Sequence, residues 1–598
     1  MCGLIAIFDP SGVVRSDAET SLGMLKHRGP DAQGYKLYKN DRLFLGHARL
    51  KIIDRSQTAN QPYISPCGEY TIIYNGEIYN YQEIRDEIGL RWNWSTRSDT
   101  EVLLAAWCLW GADCLKKLVG MFAFAVYDNT AGKVYLARDR FGIKPFYFSR
   151  NIESGQWIAA SEIPPILYTR RSASENLSTI RDYLEYGLYD HTHHTFFRHI
   201  YSVGAGGLIE IDLSTGTWAD SKWYRVTENI PDLSKATDEE IYQTASTLIE
   251  QAVKSNLIAD VDVGLNVSGG VDSSMLVRMA VEQLGAAHLF TQDYEGYSEL
   301  PWVNEISQGG DLHVASLTSE MIYTSILKTT RDQAEPFGGV SVCGYNFTYE
   351  LARKNNVTVL LDGNGVDETF LGYKRYHQQY IQSSSTDSEY RSREQEYFLF
   401  WGEKYKAAAV GEAIDGSRGV RPEAISPSLL HEPGLSSCVP TYFGDPVKQA
   451  AAVDLLHNKI PRGLRFNDRV SMAHSRELRV PFLDHRLVEF AFAIPTEKLI
   501  GGKGTKRIFR DILAKRGGAE VAYCPKRSVQ SPQREWIAKD WRPWIENILV
   551  SESFRSRNWV CPDKAGQLYN AYLNGDQDNS FYIWQWLNLE LWAREYLD

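Results

Sequence analysis

Cysteine is scarce in this 598-residue chain: Cys2, Cys67, Cys108, Cys114, Cys343, Cys438, Cys524 and Cys561 are scattered along its whole length. No two have zinc-ligand spacing and none form the dense set of a secreted scaffold, which excludes both classes and leaves reduced thiols of a cytoplasmic protein as the expectation. No apolar run approaches the roughly 18 residues that cross a bilayer. The opening MCGLIAIFD carries no basic region and meets an acid at Asp9, so neither a membrane span nor a signal peptide is expected. Basic residues are also in short supply. Against 75 Asp and Glu stand 64 Lys and Arg, a net charge of −11, which argues against general affinity for nucleic acid or membrane but not against a local phosphate pocket. Internal repeats and low-complexity tracts are absent.

What is there is an ordinary globular balance, 43% hydrophobic and 23% charged, which rules out a disordered or fibrous chain. At about 150 residues per domain the length predicts two to four domains. Residues 4–8, 42–53, 70–74, 121–128 and 133–137 read as short strands separated by turns such as Asn75-Gly76, with a helical stretch at 100–110; this predicts a layered α+β domain over 2–210. Residues 211–237 are polar and aperiodic and are expected to be a linker. From 238 to 598 a helix at 240–259, strands at 261–267, 289–292 and 357–361, and helices between them predict an α/β domain with a parallel sheet. Its remainder reads as helical, ending in an amphipathic helix near 583–596 whose Trp584, Trp586 and Trp592 are expected to pack in a core.

Cys2 stands apart from the other thiols. Removal of Met1 would put its thiol and a free α-amino group, of pKa about 7.7–8.0, on one residue, pairing nucleophile and base without a histidine. Arg49, after a strand, can hold a carboxylate in its planar fork. The Asn75 amide and Gly76 N–H can form an oxyanion hole, and Glu77 with Ser98-Asp99 can bind an ammonium. Together these describe hydrolysis of an amino-acid side-chain amide. The motifs MCGLIAIFD, HRGPD at 27–31, GHARL, YNGEIYN at 74–80, RSDTE at 97–101 and ARDRFGIKPFY at 137–147 resemble the glutaminase domain of class II glutamine amidotransferases. The resemblance implies an N-terminal-nucleophile hydrolase αββα sandwich in which Cys2 attacks glutamine and ammonia leaves. Arg49 would then bind the glutamine carboxylate, Glu77 and Asp99 its amino group, and Asn75 and Gly76 the oxyanion.

Residues 265–274 read LNVSGGVDSS, a strand, a small-residue turn and a helix start. Backbone N–H groups of Ser268, Gly269, Gly270 and Val271 can converge on an anion, and Ser273 and Ser274 can add hydroxyl donors. Asp272 would repel phosphate unless it held Mg²⁺. A second acidic turn, at 362–368, offers Asp367 as the partner Mg²⁺ ligand and Glu368 beside it, and Lys526 is a candidate cation for phosphate charge. The string SGGVDS resembles the pyrophosphate loop of ATP pyrophosphatases. With SMAHS at 471–475, RVPFLD at 479–484 and LNLELWAREYLD at the end, residues 238–598 resemble the synthetase part of glutamine-hydrolysing asparagine synthetases. That resemblance implies ATP activation of a carboxylate as an acyl-adenylate, passage of ammonia through an internal tunnel, and often a homodimer.

Three places depart from the family pattern. Asn364 stands where the family's acidic turn has glutamate, Glu335-Pro336-Phe337-Gly338-Gly339-Val340-Ser341 replaces the usual aspartate-handling element, and Arg527-Ser528-Val529 follows Lys526. All three surround the expected acceptor pocket, to which Asn364 and Glu368 are assigned. The donor side is therefore expected to use glutamine and ATP. The acceptor is aspartate by family default, or a sugar uronate, a peptide or cell-wall carboxylate, or a natural-product acid. An ATP-dependent ligase with a degenerate first domain, and a regulatory pseudoenzyme, stand as the alternatives from other classes.

Overall fold

In a computed structural model, residues 2–405, 419–435, 439–502, 504–524, 531–576 and 579–598 are described. The first part holds two six-stranded antiparallel sheets. One runs in the order Tyr201–Ser202, Tyr147–Arg150, Trp157–Ala160, Gly3–Phe8, Leu43–Arg49, Ala32–Tyr38; the other runs Trp218–Lys222, Gly207–Asp212, Lys133–Arg138, Gly120–Asp128, Tyr70–Ile78, Tyr63–Ile64.

Alternation along the strands dictates the layers. In Gly3–Phe8, Leu4, Ala6 and Phe8 face the second sheet and pack with Ile73, Ala123 and Ala125. Ile5 and Ile7 face the other way, onto Leu22 and Ile166 of the helices Arg15–Gly23 and Ile163–Arg170. In the second sheet Ile72, Phe122 and Phe124 turn outward onto Ile84, Leu103 and Ala106, on the helices Tyr81–Ile88 and Asp99–Trp110. A strand apolar on both faces is buried on both faces, and the result is the expected αββα stack.

Residues 211–237 are not irregular throughout. Trp218–Lys222 pairs antiparallel with Gly207–Asp212 as the sheet's outermost strand, and its 219–222 portion is exposed, which is why it reads as polar linker. The next helix, Asp238–Asn256, starts on a capping box: Glu240 N–H donates to Thr237 Oγ1 at 3.3 Å and Thr237 N–H donates to Glu240 Oε2 at 2.8 Å, a device worth about 1 kcal/mol.

The second part is a parallel five-stranded sheet ordered Gly310–Leu317, Ala287–Tyr294, Val263–Asn266, Val359–Leu361, Glu477–Arg479. The last strand comes from more than a hundred residues downstream of its neighbour and lies within the stretch expected to be helical. Its three buried residues are too few to show a period. The C-terminal helix Phe581–Tyr596 is not amphipathic: every residue from 582 to 593 is buried, including Gln585, Asn588 and Glu590. Trp584 and Trp592 donate their indole N–H to the carbonyls of Phe337 and Ala334, both at 3.0 Å, so the tryptophans are core as expected, in a helix enclosed on all sides.

Candidate active sites

Cys2 precedes the first strand, buried, and its backbone N–H donates to Asn75 Oδ1 at 2.9 Å. Burial pushes its thiol pKa up, so at rest the sulfur keeps its proton and needs a base to act. Asn75, Gly76 and Glu77 do not close their strand as expected; they lie inside Tyr70–Ile78, opposite Ala123, Phe122 and Met121. Asn75 is fully buried, and its Nδ2 has no hydrogen-bond partner among the described residues. Glu77 is buried as well, with Oε1 3.5 Å from Arg479 Nη2 and Oε2 unpartnered among the described residues. Burial and the nearby Glu477 push the Glu77 carboxyl well above the usual range while Arg479 opposes them. A carboxyl so placed gains from an arriving cation.

Asp99, in the first turn of its helix, accepts from Tyr74 Oη at 2.8 Å and from Ile78 N–H at 3.1 Å. Ser98 is spent as that helix's N-cap, accepting from Thr100 N–H. Arg49 donates Nη1 to the Ser56 carbonyl at 2.7 Å and to Asn60 Oδ1 at 2.8 Å, and Nη2 to the Asp54 carbonyl, so the loop after its strand sets the plane of its fork.

Residues without an assigned role in the sequence complete this half. Arg28, in HRGPD, is fully buried and donates Nε to the Cys2 carbonyl at 3.0 Å. It also pairs with Glu162 at 2.7 Å and with Asp468 at 2.8 Å, and Asp468 lies on the second domain's helix Lys459–Ala473. From that domain too, Glu477 is held by Arg479 at 2.6 Å. Burial raises the Glu477 carboxyl, but the positive charge of the amino terminus and Arg479 outweigh it and bring it down to about 2. For Arg28 the signal was the HRGPD motif, but no spacing rule says that it meets Cys2; Glu477 lies between the quoted motifs and had no signal.

At the other site the loop between Val263–Asn266 and the helix Val271–Leu284 turns through Gly269, whose φ of +60° suits glycine. Ser268 N–H donates to Ser273 Oγ at 3.3 Å, and the Ser273 and Ser274 hydroxyls donate to the Gly270 carbonyl at 3.1 and 2.7 Å. Asp272 and Asp367 come together as expected, but around a cation that no motif announced. Lys506 Nζ lies 2.8 Å from both Asp272 carboxylate oxygens and 2.8 Å from Asp367 Oδ1. Burial opposes the Lys506 charge, and the two carboxylates overcome it and raise its pKa. Lys506 adopts the left-handed region, φ +57°, a conformation the surroundings must impose on a non-glycine residue. A side chain on Gly372 would put Cβ 1.9 Å from Asp367 Oδ1 and 2.1 Å from Lys506 Cε, so it would push the two ends of this ion pair out of their present positions. Two carboxylates sharing one cation supply the hard oxygens that Mg²⁺ takes.

Asn364 N–H donates to Asp362 Oδ1 at 3.1 Å, and Glu368 accepts from Tyr373 Oη at 2.6 Å. Burial and Asp367 push the Glu368 carboxyl up. Glu335 is buried and accepts from Phe196 N–H at 2.9 Å; burial lifts its pKa to about 7. Lys526 and the residues 527–529 after it lie outside the described residues.

The halves meet at Arg479. Its side chain faces Glu77, and its carbonyl accepts from the N–H of Asp362, the first residue of the acidic turn, at 2.9 Å.

Comparison with known proteins finds two successive matches along the chain. The glutamine amidotransferase domain matches residues 1–224, and asparagine synthase matches residues 244–594. Asparagine synthetase (glutamine-hydrolyzing) 1 of Bacillus subtilis is 28% identical over 99% of this chain and 96% of its own length. A putative asparagine synthetase (glutamine-hydrolyzing) 2 of Methanocaldococcus jannaschii is 31% identical over 62% of this chain and 76% of its own. The amidase chry2 of Gibberella zeae is 24% identical over 94% of this chain and 93% of its own. With more than half of its length matched by the family model, the chain belongs to the asparagine synthase family, as an ATP-dependent, glutamine-hydrolysing ligase with an N-terminal glutamine amidotransferase domain.

Proposed function

We propose that the chain transfers the amide nitrogen of glutamine to a carboxylate activated by ATP, with Cys2 as nucleophile. The Cys2 sulfur adds to the glutamine side-chain carbonyl carbon, the C–N bond breaks, ammonia leaves, and water then cleaves the thioester to glutamate. Freed of Met1, the Cys2 α-nitrogen held by Asn75 Oδ1 becomes the base that takes the thiol proton. Asn75 Nδ2 and the Gly76 N–H take the oxyanion, Arg49 the carboxylate, and Glu77 with Asp99 the ammonium.

In the second half an acceptor carboxylate oxygen attacks the α-phosphorus of ATP, pyrophosphate leaves, ammonia attacks the acyl carbon, and AMP departs. The loop 268–274 seats the phosphates. Asp272 and Asp367 would hold Mg²⁺, which supplies charge neutralisation of the triphosphate when bound. Lys506 then turns from the carboxylates to phosphate oxygens, with Lys526 as a further cation. The observation that carries the proposal is Arg479, which touches Glu77 with its side chain and the acidic turn with its backbone. In this reading ammonia passes beside it from one site to the other.

Aspartate is the family's acceptor. Asn364 favours a second reading, a different carboxylate at an acceptor pocket formed with Glu368, because a carboxamide cannot take a proton from the attacking ammonia. The family's dimers extend the proposal to a homodimer, and the free thiols of the seven described cysteines suit the reducing cytoplasm.

The Cys2→Ala chain should lose glutamine-driven amide formation and keep ammonia-driven release of AMP and pyrophosphate. Glutamine-driven product from that variant would end the nucleophile assignment. A pyrophosphate-release screen of aspartate against uronates and peptide acids decides the acceptor: turnover on aspartate at the rate of ordinary metabolic enzymes, about 1–10³ s⁻¹, would overturn the second reading.

A further inference from the structure

We propose a binding site for a divalent transition metal of the Zn²⁺ class at His288, Asp311 and His313. In the parallel pair formed by Ala287–Tyr294 and Gly310–Leu317, His288 lies opposite Asp311 and Phe290 opposite His313. Residues two apart on a strand share a face, so the two imidazoles and the carboxylate project together. His288 Nδ1 is 3.1 Å from His313 Nε2, His313 Nε2 is 3.2 Å from Asp311 Oδ2, and His288 Nδ1 is 3.5 Å from the same oxygen. Ligands at the roughly 2.0–2.1 Å of a tetrahedral zinc stand about 3.3 Å apart. The triangle of donor atoms already has that size.

Hydrogen bonding alone does not satisfy the triangle. The Asp311 oxygen only accepts, and each neutral ring nitrogen either carries one proton or offers one lone pair. With neither nitrogen protonated, three acceptors face one another. With both protonated, two N–H groups collide. With one protonated, the other nitrogen turns its lone pair on the carboxylate. A cation at the centre resolves all three contacts at once. Two imidazoles and one carboxylate form the nitrogen and oxygen set of Zn²⁺, Ni²⁺ or Co²⁺ rather than of Mg²⁺.

Packing holds the rings in place. His313 stacks on Phe290 with centroids 4.8 Å apart and planes at 18°, and His288 lies 5.3 Å from His313 at 29°. His313 is largely covered while Asp311 is open to solvent, which leaves the fourth position for water. A groove of about 350 Å³ adjoins, lined by His288, Asp311, Asp262, Val261 and Leu284 among others.

His288 and Asp311 are each the second residue of their strands, at the sheet end opposite to the one from which the phosphate loop departs. Gly310–Leu317 is the sheet's outermost strand. The metal would therefore pin an edge strand and raise stability without entering either half-reaction.

The test uses the full chain carrying Cys2→Ala, so that the Cys2 thiol cannot compete, stripped by chelator and kept in excess Mg²⁺. One equivalent of Zn²⁺ should be retained, Co²⁺ should give the visible absorption of a four-coordinate ion, and Zn²⁺ at a hundred times its dissociation constant should raise the melting temperature by a few degrees. His313→Asn and Asp311→Asn should each lose the retained equivalent, the Co²⁺ band and the shift while ammonia-driven pyrophosphate release stays unchanged. Asp311→Asn leaves both rings in place, so a folding defect at His313 does not spoil the test. Zn²⁺ retention undiminished in both variants, or no retained Zn²⁺ in the parent chain, would overturn the proposal.

Discussion

The glutamine half and the ATP half differ in what their polar groups do before a ligand arrives. Around Cys2, Asn75 Nδ2 and Glu77 Oε2 are buried and unpartnered among the described residues, held by strands that cannot relax toward them. Around Asp272 the donors are engaged internally: Lys506 bridges both carboxylates, and the Ser273 and Ser274 hydroxyls bond to the Gly270 carbonyl. Under the proposed function the first site is preorganised, its dipoles fixed where charge would develop. The second must exchange internal bonds for ligand bonds, so part of its binding energy is used to move Lys506. On that proposal the oxyanion groups rely on rigidity and the seating of a polyanion on rearrangement, while Arg49 and Asp99 of the first site already hold internal bonds.

The largest effect that can break this contrast comes from the ATP half. Asp272→Asn and Asp367→Asn should each lower pyrophosphate release by about 10³-fold or more with glutamine and with ammonia alike. Lys506→Met should do the same and should also leave two carboxylates facing each other, a broken buried pair costing about 3–5 kcal/mol, with Mg²⁺ restoring more of the melting temperature than it adds in the parent. If Mg²⁺ shifts the variant no further than the parent, the two carboxylates do not form its site.

In the glutamine half the expected loss is smaller and confined to one nitrogen source. Asn75→Ala should cut glutaminase kcat by about 10²–10³-fold with KM little changed and ammonia-driven synthesis intact. A change in KM alone would mean that Asn75 binds glutamine rather than its oxyanion, and the preorganisation argument would fail there.

Arg479→Lys should act between the halves. It keeps the charge near Glu77 and Glu477 but loses the planar fork that also donates to the Asn256 and Ile258 carbonyls at 2.8 and 2.7 Å. Glutamate formation should continue while amide formed per glutamate falls about tenfold, a loss set by the three or so hydrogen bonds that position the fork. A ratio unchanged from the parent would separate Arg479 from the passage of ammonia.

How much of this was legible in the sequence follows the same divide. Cys2 stands just before a strand and Asn75 and Glu77 lie within one, local features even though the turn expected at 75–77 is absent, and the αββα layers follow from strands apolar on both faces. SGGVDS is a strand–turn–helix and could be placed as such. Lys506, Arg28 and Glu477 were not assigned because their partners lie far away in the chain: Asp272 is 234 residues before Lys506, and Asp468 is 440 after Arg28. Nothing in GTKRIFR marks a lysine between two carboxylates. The strand Glu477–Arg479 is three residues long and defined wholly by its neighbour, so periodicity could not find it. The C-terminal helix read as amphipathic because Gln585, Asn588 and Glu590 are polar. Packing overrode that pattern, since Gln585 reaches the Tyr183 carbonyl at 2.7 Å and Asn588 accepts from Phe337 N–H at 2.6 Å.

The smallest effect concerns the seam between the halves. Tyr224, just past the first domain's outermost strand, donates its hydroxyl to Glu489 at 2.9 Å, and Glu489 lies on the helix His485–Ala493 that follows the Arg479 segment. Burial lifts the Glu489 carboxyl to about 7; the Tyr224 hydroxyl and Arg140 oppose the rise and Asp484 adds to it. A carboxyl near 4.5 in the unfolded chain and near 7 when folded binds its proton more tightly in the native state. Its contribution to stability is therefore complete below about pH 4.5 and is lost as the pH rises through about 7. Glu489→Gln removes the titration while keeping the acceptor for Tyr224. The melting temperature of the variant minus that of the parent should be near zero at about pH 5 and should grow to about 1–2 °C at pH 8. A difference constant across that range would mean that Glu489 is already ionised in the folded seam, and that the two halves meet without a buried proton between them.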